Sequence, residues 1–600
     1  MADVYTPVPD TAYLLGTPFY MPTSSGSVWA VAFTSRSGTL ITSGLSVVFT
    51  VIFACLWSLI CTIAVSSSSK DKKSRRRFVA LVTLWNSNDA WFAFQELASY
   101  TFHYKGNKED FLYGLILTIT AFVVYGASLA LGIVGPSLVQ IGSVAPARPS
   151  IAFYPATPRR DDYVSILQDF GLRAPGVLRA LGSVEAADVT TRDRVSIITD
   201  KDYGTWNETE PIYQISYNYN ITGTELGLQQ GSDLRGSFVG SCIAEYNWIS
   251  AQDDSSDDYR LWGIRPAQIP IDPYDIQYAP KASFIPHPDA AMQYAENGNS
   301  SFAIVIWSAH RASITEGSDP WYKTESRPSD VPPAQYNAHF WMQRARPVLS
   351  CWQKDTWSYG SHTVNDVNNL GSIPGIKVPS VLLDVLGTAL TVPMLTRLGN
   401  ASGDSALRSR TTSPNGVIDA RESSAERDIT RLLVASFVAT RNVFIDATMF
   451  PSGSSYDNLF TDADGQPKNG AGNFVVGSPD IQTFSMAGLI VLFVVLVVLL
   501  LMSSAIKVII RRHQQPQGDS EQNNKLIRFK VLTATQLFRR IYETRNGVSD
   551  GDNWLCTWNF PKEDDPILFN LAKCKGGDFR SCKGHIEVGD SSTPSTVTQK

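Results

Sequence analysis

The sequence predicts an α+β domain over residues 146–482, anchored to a bilayer by about three transmembrane α-helices. Three observations lead there. Long charge-free apolar stretches punctuate the chain, a polar region with mixed helix and strand periodicities fills the gap between the last two, and the Asn-x-Ser/Thr sequons fall only in that region. Bulk composition hides this segregation: 44% apolar, 18% charged and a net charge of −5 are ordinary for 600 residues. A chain of that length exceeds one compact core. No contiguous basic face marks it for nucleic acid.

The charge-free stretches are Leu40–Val65, Phe111–Val139 and Ser485–Ile506. Each reaches the roughly 20 apolar residues that a helix needs to cross hydrocarbon. The start, Met1-Ala2-Asp3-Val4, lacks the basic opening and early apolar core of a cleavable leader, so the first span is expected to act as the targeting signal. Lys70, Lys72, Lys73, Arg75, Arg76 and Arg77 follow the first span, and Lys507, Arg511, Arg512 and His513 close the last. Basic residues flanking spans stay on the cytosolic side. The rule predicts an extracytosolic tail over 1–39, a cytosolic segment over 66–110, an extracytosolic domain over 146–482 and a cytosolic tail over 507–600. Candidate glycosylation sites at Asn207, Asn220, Asn299 and Asn400 agree with that orientation.

Phe78–Tyr100 carries Trp85, Trp91, Phe92 and Phe94, with Asn86, Asp89 and Glu96 along one side. It reads as an amphipathic cytosolic helix in the headgroup region, with a fourth span as the alternative. Gly126, Ser128, Ala130 and Gly132 have spacings that suit close helix packing in the second span. The three apolar spans hold no Asp, Glu, Lys, Arg or His, the groups that transport and proton relay use.

Within 146–482, Pro146, Pro149, Pro155 and Pro158 make a stiff exit from the membrane. Asp161–Leu181 has helical spacing, interrupted at Gly171 and Pro175. Ile212–Ile221 alternates Tyr213, Ile215, Tyr217, Tyr219 and Ile221 with polar residues, the period of a half-buried strand. The prolines of 264–290 exclude regular helix there. Ser301–Ala309 reads as another strand. Val378–Leu398 reads as a core helix interrupted by Asp384 and Pro393, and 400–422 as a surface loop. Ser423 and Glu426 fit a capping box for a helix with Ile429, Leu432, Leu433 and Phe437 on one face. Cys242 and Cys351, the two cysteines of this region, form a candidate disulfide in an oxidising compartment.

No catalytic, cofactor-binding or metal-ligating set emerges. Gly-x-Ser-x-Gly, His-Glu-x-x-His, a P-loop and a Gly-x-Gly-x-x-Gly fingerprint between strand and helix are all missing. Asp462-Ala-Asp464-Gly465 begins like a calcium loop but lacks the later ligands, so it reads as a polar turn. Asp253, Asp254, Asp257 and Asp258 read as a solvated loop. His287, His310, His339 and His362 match no metal spacing, and Cys574, Cys582 and His585 make an incomplete zinc pattern. Carboxylate pairs for acid/base work would meet only in the fold. Lys525–Arg545 suits a basic amphipathic helix on the anionic leaflet, with a small folded tail or a partner-binding helix as the alternatives, and 586–600 reads as disordered.

Aromatic density peaks at Pro347-Val-Leu-Ser-Cys351-Trp352-Gln-Lys-Asp-Thr-Trp357-Ser-Tyr359, the expected structural centre fastened by the disulfide. In this stretch, and in the order of its spans, the chain resembles uncharacterised filamentous-fungal membrane proteins. That resemblance implies a shared fold without a mechanism, so no active residues carry over. The functional expectation is a surface or endomembrane protein of the plasma membrane or secretory pathway. Its extracytosolic domain would recognise a glycan, wall component or protein ligand. The rivals are a membrane-tethered glycan hydrolase and an accessory subunit of a membrane complex.

Overall fold

The computed structural model describes residues 9–67, 75–103, 105–106, 108–158, 162–186, 193–271, 279–328, 338–403, 406–411, 416–450 and 456–512, with scattered residues of the C-terminal tail. The chain divides into two compact units, Met1–Thr39 with Gln140–Ala487, and Leu40–Val139 with Gly488–Lys600.

Along the chain, β1 (Pro18–Thr23) and β2 (Gly26–Thr34) form a hairpin, and β2 runs directly into α1 (Ser35–Ser67). There follow α2 (Arg75–Asn86), α3 (Ala90–His103) and α4 (Lys108–Val139). Helix α4 runs into β3 (Gln140–Gly142), then β4 (Val144–Pro146), α5 (Tyr163–Ala186), β5 (Val195–Trp206), β6 (Glu210–Thr222) and β7 (Leu234–Glu245). A small meander β8 (Ile249–Gln252), β9 (Ser256–Leu261) and β10 (Arg265–Pro270) precedes β11 (Lys281–Pro286), α6 (Ala290–Asn297) and β12 (Asn299–Trp307). The short strands β13 (Ala312–Ser313), β14 (Thr324–Ser326) and β15 (Phe340–Met342) lead to β16 (Val348–Tyr359) and β17 (His362–Val364). Then come α7 (Ser380–Leu390), α8 (Met394–Ser402), α9 (Ala425–Arg441), α10 (Val443–Ala447), β18 (Val475–Gly477), β19 (Ile481–Ser485) and α11 (Met486–Arg512). In the tail, β20 (Ile567–Leu571) pairs with β21 (Ile586–Asp590), so the segment expected to be disordered from residue 586 begins with a strand.

The first unit is built on a seven-stranded antiparallel sheet in the order β11-β12-β16-β7-β6-β5, with β17 beside β16. Period-two alternation decides which face each strand buries. Tyr213, Ile215, Tyr217, Tyr219 and Ile221 of β6 point into the core, and Asn218 and Asn220 point out. Helix α9 packs on β5 and β6, α8 on β11 and α6 on β12. Its expected apolar residues Ile429, Leu432, Leu433 and Phe437 are all buried. Cys242 of β7 and Cys351 of β16 stand directly opposite each other, Cα atoms 4.0 Å apart, and are joined as the predicted disulfide on this inner face. At one end the outer face is covered by the β8–β10 meander, through Tyr259, Leu261 and Ile269 against Ala303, Val305 and Val348.

Several expectations need correction. The N-terminal segment is not a free tail: β2 lies between β1 and β19 in a four-stranded sheet, because Phe19, Ala30 and Ala32 bury into the main core. Helix α5 runs unbroken through Gly171 and Pro175. Val378–Leu398 becomes two helices bent by 66°, with Pro393 capping the second. Together they are apolar enough for a span, yet Leu382, Val385, Leu386 and Ala389 are fully buried in this core. The expected loop 400–422 contains buried Ala406 and Leu407 and a helical turn at Arg408–Thr411. The cap of α9 is Ser424, one residue later than the box expected, and it accepts from Arg427 N at 3.2 Å.

In the second unit α1, α4 and α11 are long and apolar enough to cross a membrane. Helix α11 exposes Val491, Phe493, Val494, Val498 and Leu501 around its girth. Phe78–Tyr100 is not one helix. It breaks at Ser87–Asp89, where Asp89 caps α3 by accepting from Phe92 N at 2.7 Å. Helix α3 lies along the first half of α4, with Trp91 on Tyr125, Phe94 on Phe122 and Thr101 on Thr118. Close packing uses Gly114 and Gly135, where a Cβ would strike Tyr100 and Phe49, rather than Gly126 and Gly132, which face open space. Asn86 grips the tail backbone, donating to Leu532 O and accepting from Ala534 N, while Phe529 packs on Trp85. Most of Lys525–Arg545, together with Cys574, Cys582 and His585, lies outside the described residues.

Candidate functional site

The inner face of β5 and β6 meets two loops at the start of α9, and a cavity of about 550 Å³ opens there. Strand alternation puts Thr199 and Tyr213 on its floor. The loop 316–320 supplies Glu316 and Asp319, and 420–426 supplies Arg421, Ser423, Ser424 and Glu426. Asp419 staples the two loops by accepting from Thr315 Oγ1, Arg421 N and Glu422 N. Gly317 has to be glycine: a Cβ there would lie 2.3 Å from Tyr322 O and 2.7 Å from the Cβ of Ala420.

Asp319 is the centre of the site. Its carboxylate accepts from Trp321 N at 2.9 Å and from Ala425 N at 3.3 Å, the first N–H of α9. Those bonds and the positive end of the helix favour its charged form. Burial outweighs them and, with the nearby Asp428 charge, pushes the group up to about 6. Asp428 itself is fully buried, bonded to Tyr322 Oη and to Ser409 N at 3.0 Å, and burial raises it too. Nearer solvent, Lys201 pairs with Glu426 at 2.9 Å.

Tyr213 is 5% exposed, lines the cavity and has a hydroxyl with no hydrogen-bond partner. A buried hydroxyl left unpaired costs on the order of 1–3 kcal/mol, so a polar partner brought within reach of it would be stabilising. Burial holds this phenol well above its ordinary range, which keeps it a neutral donor.

Several of the acidic and histidine residues singled out from sequence have local structural partners. Asp253 Oδ1 closes a turn by accepting from Ser255 N and Ser256 N, and Asp257 pairs with Arg344 at 2.8 Å. Asp462 Oδ1 closes the turn at 462–466. His310 stacks on Trp341 at 4.0 Å, and His287 packs edge-on to Trp262. Among the described residues no group of three or more His, Cys, Asp or Glu is placed to hold a metal ion. Sequence reading missed Asp319 and the role of Tyr213. Gly317-Ser318-Asp319-Pro320 reads only as a turn, and nothing local ties it to a helix start 106 residues away.

The candidate glycosylation sites differ in their surroundings. Asn207, at φ 49°, and Glu208 form the turn between β5 and β6, and Asn207 is exposed. Asn220 is exposed on the outer face of β6, and Asn299 is half-buried at the start of β12. Asn400 is exposed, but its Nδ2 donates to Phe284 O at 3.1 Å.

Residues 174–476 match a family model described as a domain of unknown function (DUF8406), which takes in every residue of the cavity and the disulfide. No curated protein and no solved structure matches the chain.

Proposed function

We propose that the chain, which belongs to that family, is a membrane-anchored recognition protein that binds a small polar ligand in the cavity over Tyr213, on the extracytosolic side. One observation carries the reading: a buried, unpartnered phenol on the floor of a polar cavity of about 550 Å³, a volume within the usual range of small-molecule sites. Lys201 and Arg421 stand against Glu316, Glu426 and Asp319 around it. Such mixed charge suits a neutral or zwitterionic ligand rich in hydrogen-bonding groups, a sugar or an amino acid, over a polyanion.

The orientation rests on the charges that flank the spans. Basic residues follow α1 and close α11. Chain continuity bears on which segments go together, since β2 leads into α1, α4 into β3 and β19 into α11, and β2, β3 and β19 belong to one sheet. The N-terminal strands and the large domain therefore share a side under this reading. Asn207 and Asn220 would carry glycan there, and Asn400 would have to give up its bond to Phe284 O first.

The test is thermal unfolding of the full-length protein in detergent against a panel of soluble sugars, sugar alcohols and amino acids. At least one compound should raise Tm in the native protein and lose that effect in Tyr213→Phe. A panel that shifts neither protein would sink the proposal. Hydrolysis is the second reading, favoured by Asp319 at about 6 beside Glu316 and Glu426 in one cavity. Both Asp319 oxygens already accept backbone N–H groups, however, which suits a structural anchor better than a proton donor. Turnover of chromogenic glycosides, lost in Asp319→Asn, would reverse that ranking.

A further inference from the structure

We infer that Asn299 carries an N-linked glycan whose first sugar ring stacks on the indole of Trp352, so that the chain's own carbohydrate covers the open part of the sheet's outer face. This rests on the extracytosolic reading above. The strand register supplies the geometry. Asn299 of β12 pairs with Lys354 of β16, and Ser301, the hydroxyl residue of the same sequon, pairs with Trp352. Outward residues alternate along both strands, so Asn299 and Trp352 are diagonal neighbours on one face, about 7–8 Å apart. The first sugar of a glycan rooted at Asn299 therefore reaches the indole without crossing another strand.

The surroundings fit that occupant. Trp352 is 40% exposed and stacks on no other ring among the described residues. Val239, 44% exposed, stands opposite Lys354 on the next strand, and Asn218 stands opposite Val239. An isolated indole set among Asn, Ser and Lys offers an apolar plate with a polar rim, matching the C–H face and hydroxyl edge of a sugar ring. Asn299 is half-buried, and its Oδ1 is buried without a partner, so no hydrogen bond to that oxygen has to break for the amide to turn outward. Asn220 shares the face but pairs with Ser237 of β7, away from Trp352.

The co-reactant is a lipid-linked oligosaccharide diphosphate. Nδ2 of Asn299 bonds to the anomeric carbon as the sugar–phosphate C–O bond breaks, Nδ2 loses one proton, and the lipid diphosphate leaves with the electron pair.

The experiment uses full-length protein purified from a eukaryotic host, with glycopeptide mapping and hydroxyl-radical labelling read at the peptide bearing Trp352. Glycan is expected on Asn299. Labelling of Trp352 should rise several-fold when the whole glycan is cleaved enzymatically from the asparagine of the folded glycoprotein and in both Asn299→Gln and Ser301→Ala, which remove the sequon through different residues. Asn207→Gln should leave it unchanged. An unoccupied Asn299 beside an occupied Asn207 overturns the inference and leaves the orientation standing. Absence of glycan at all four sequons overturns both. Occupied Asn299 with Trp352 labelling unmoved by complete removal of the glycan overturns the stacking.

Discussion

Tyr213 and Tyr217 lie four residues apart on the same face of β6, and their hydroxyls meet opposite circumstances. Tyr217 donates to Gln353 Oε1 at 3.0 Å, and Gln353 Nε2 donates onward to Asp355 Oδ1 at 2.8 Å. That chain is sealed between sheet and helices, with the Tyr217 ring passing over Gly240, where a Cβ would come within 2.4 Å of it. Tyr213 reaches a cavity with no partner for its hydroxyl. Each region has a buried carboxyl raised chiefly by burial, Asp355 to about 7 and Asp319 to about 6. A shifted carboxyl therefore does not separate structure from function here. Under the proposed function the unpaired hydroxyl of Tyr213 does, because its residue lines a cavity; the Tyr219 hydroxyl also lacks a partner, but Tyr219 is not among the residues that line it.

If the sealed region is structural, its largest contribution should be the disulfide. Cys242 and Cys351 are 109 residues apart, and closing a loop of that size stabilises by up to about 5 kcal/mol, with 2–5 typical. Replacing both by Ala should lower Tm accordingly, while a cavity ligand still binds at temperatures below the new transition. Loss of binding in the still-folded variant would break the separation between the two regions.

The next effect is the pH dependence of stability. Both carboxyls bind protons more tightly in the folded state than in the unfolded one. Their stabilisation is complete below the ordinary carboxylate range near 3.8 and is lost as pH rises to about 6 for Asp319 and about 7 for Asp355. For Asp355 the span corresponds to something on the order of 4 kcal/mol. Denaturant midpoints should therefore fall between pH 4 and 7, and Asp355→Asn should flatten most of that slope. A cavity ligand should alter only the part that Asp319→Asn removes. Smaller again is Tyr217→Phe, which strands Gln353 Oε1 and should cost about 1–3 kcal/mol in chemical denaturation, with no change in ligand affinity.

The sealed region was the more legible of the two. The alternation of 213–221 placed β6, the aromatic run 347–359 became the central strand β16, and the two cysteines of the domain proved to be opposed across β7 and β16. Charge-free length located α1, α4 and α11, the three helices long and apolar enough to cross a membrane, because length and composition are read directly from sequence. Helix interruptions misled in both directions. Pro175 sits inside an unbroken α5, while Pro393 does start a new helix. The cavity was invisible, since it depends on Tyr213, Asp319 and the start of α9 converging from positions far apart in sequence. The edge of the domain was misjudged for a similar reason: β2 is recognisable as part of the fold only once β19 lies beside it.

The smallest expected change in stability tests the comparison most directly. Tyr213→Phe removes a hydroxyl that has no partner, so no hydrogen bond is lost and a buried polar group is relieved. Its effect on unfolding should be within about 0.5 kcal/mol of zero, or slightly stabilising, in contrast to Tyr217→Phe on the same strand. Ligand binding should respond in the opposite order, with Tyr213→Phe losing the thermal shift and Tyr217→Phe keeping it. Both substitutions delete one oxygen from the same residue type on the same face of β6, so packing differences largely cancel. If Tyr213→Phe destabilises as much as Tyr217→Phe and leaves binding untouched, the Tyr213 hydroxyl has a structural partner in solution, and the cavity is a wet gap in the core rather than a site.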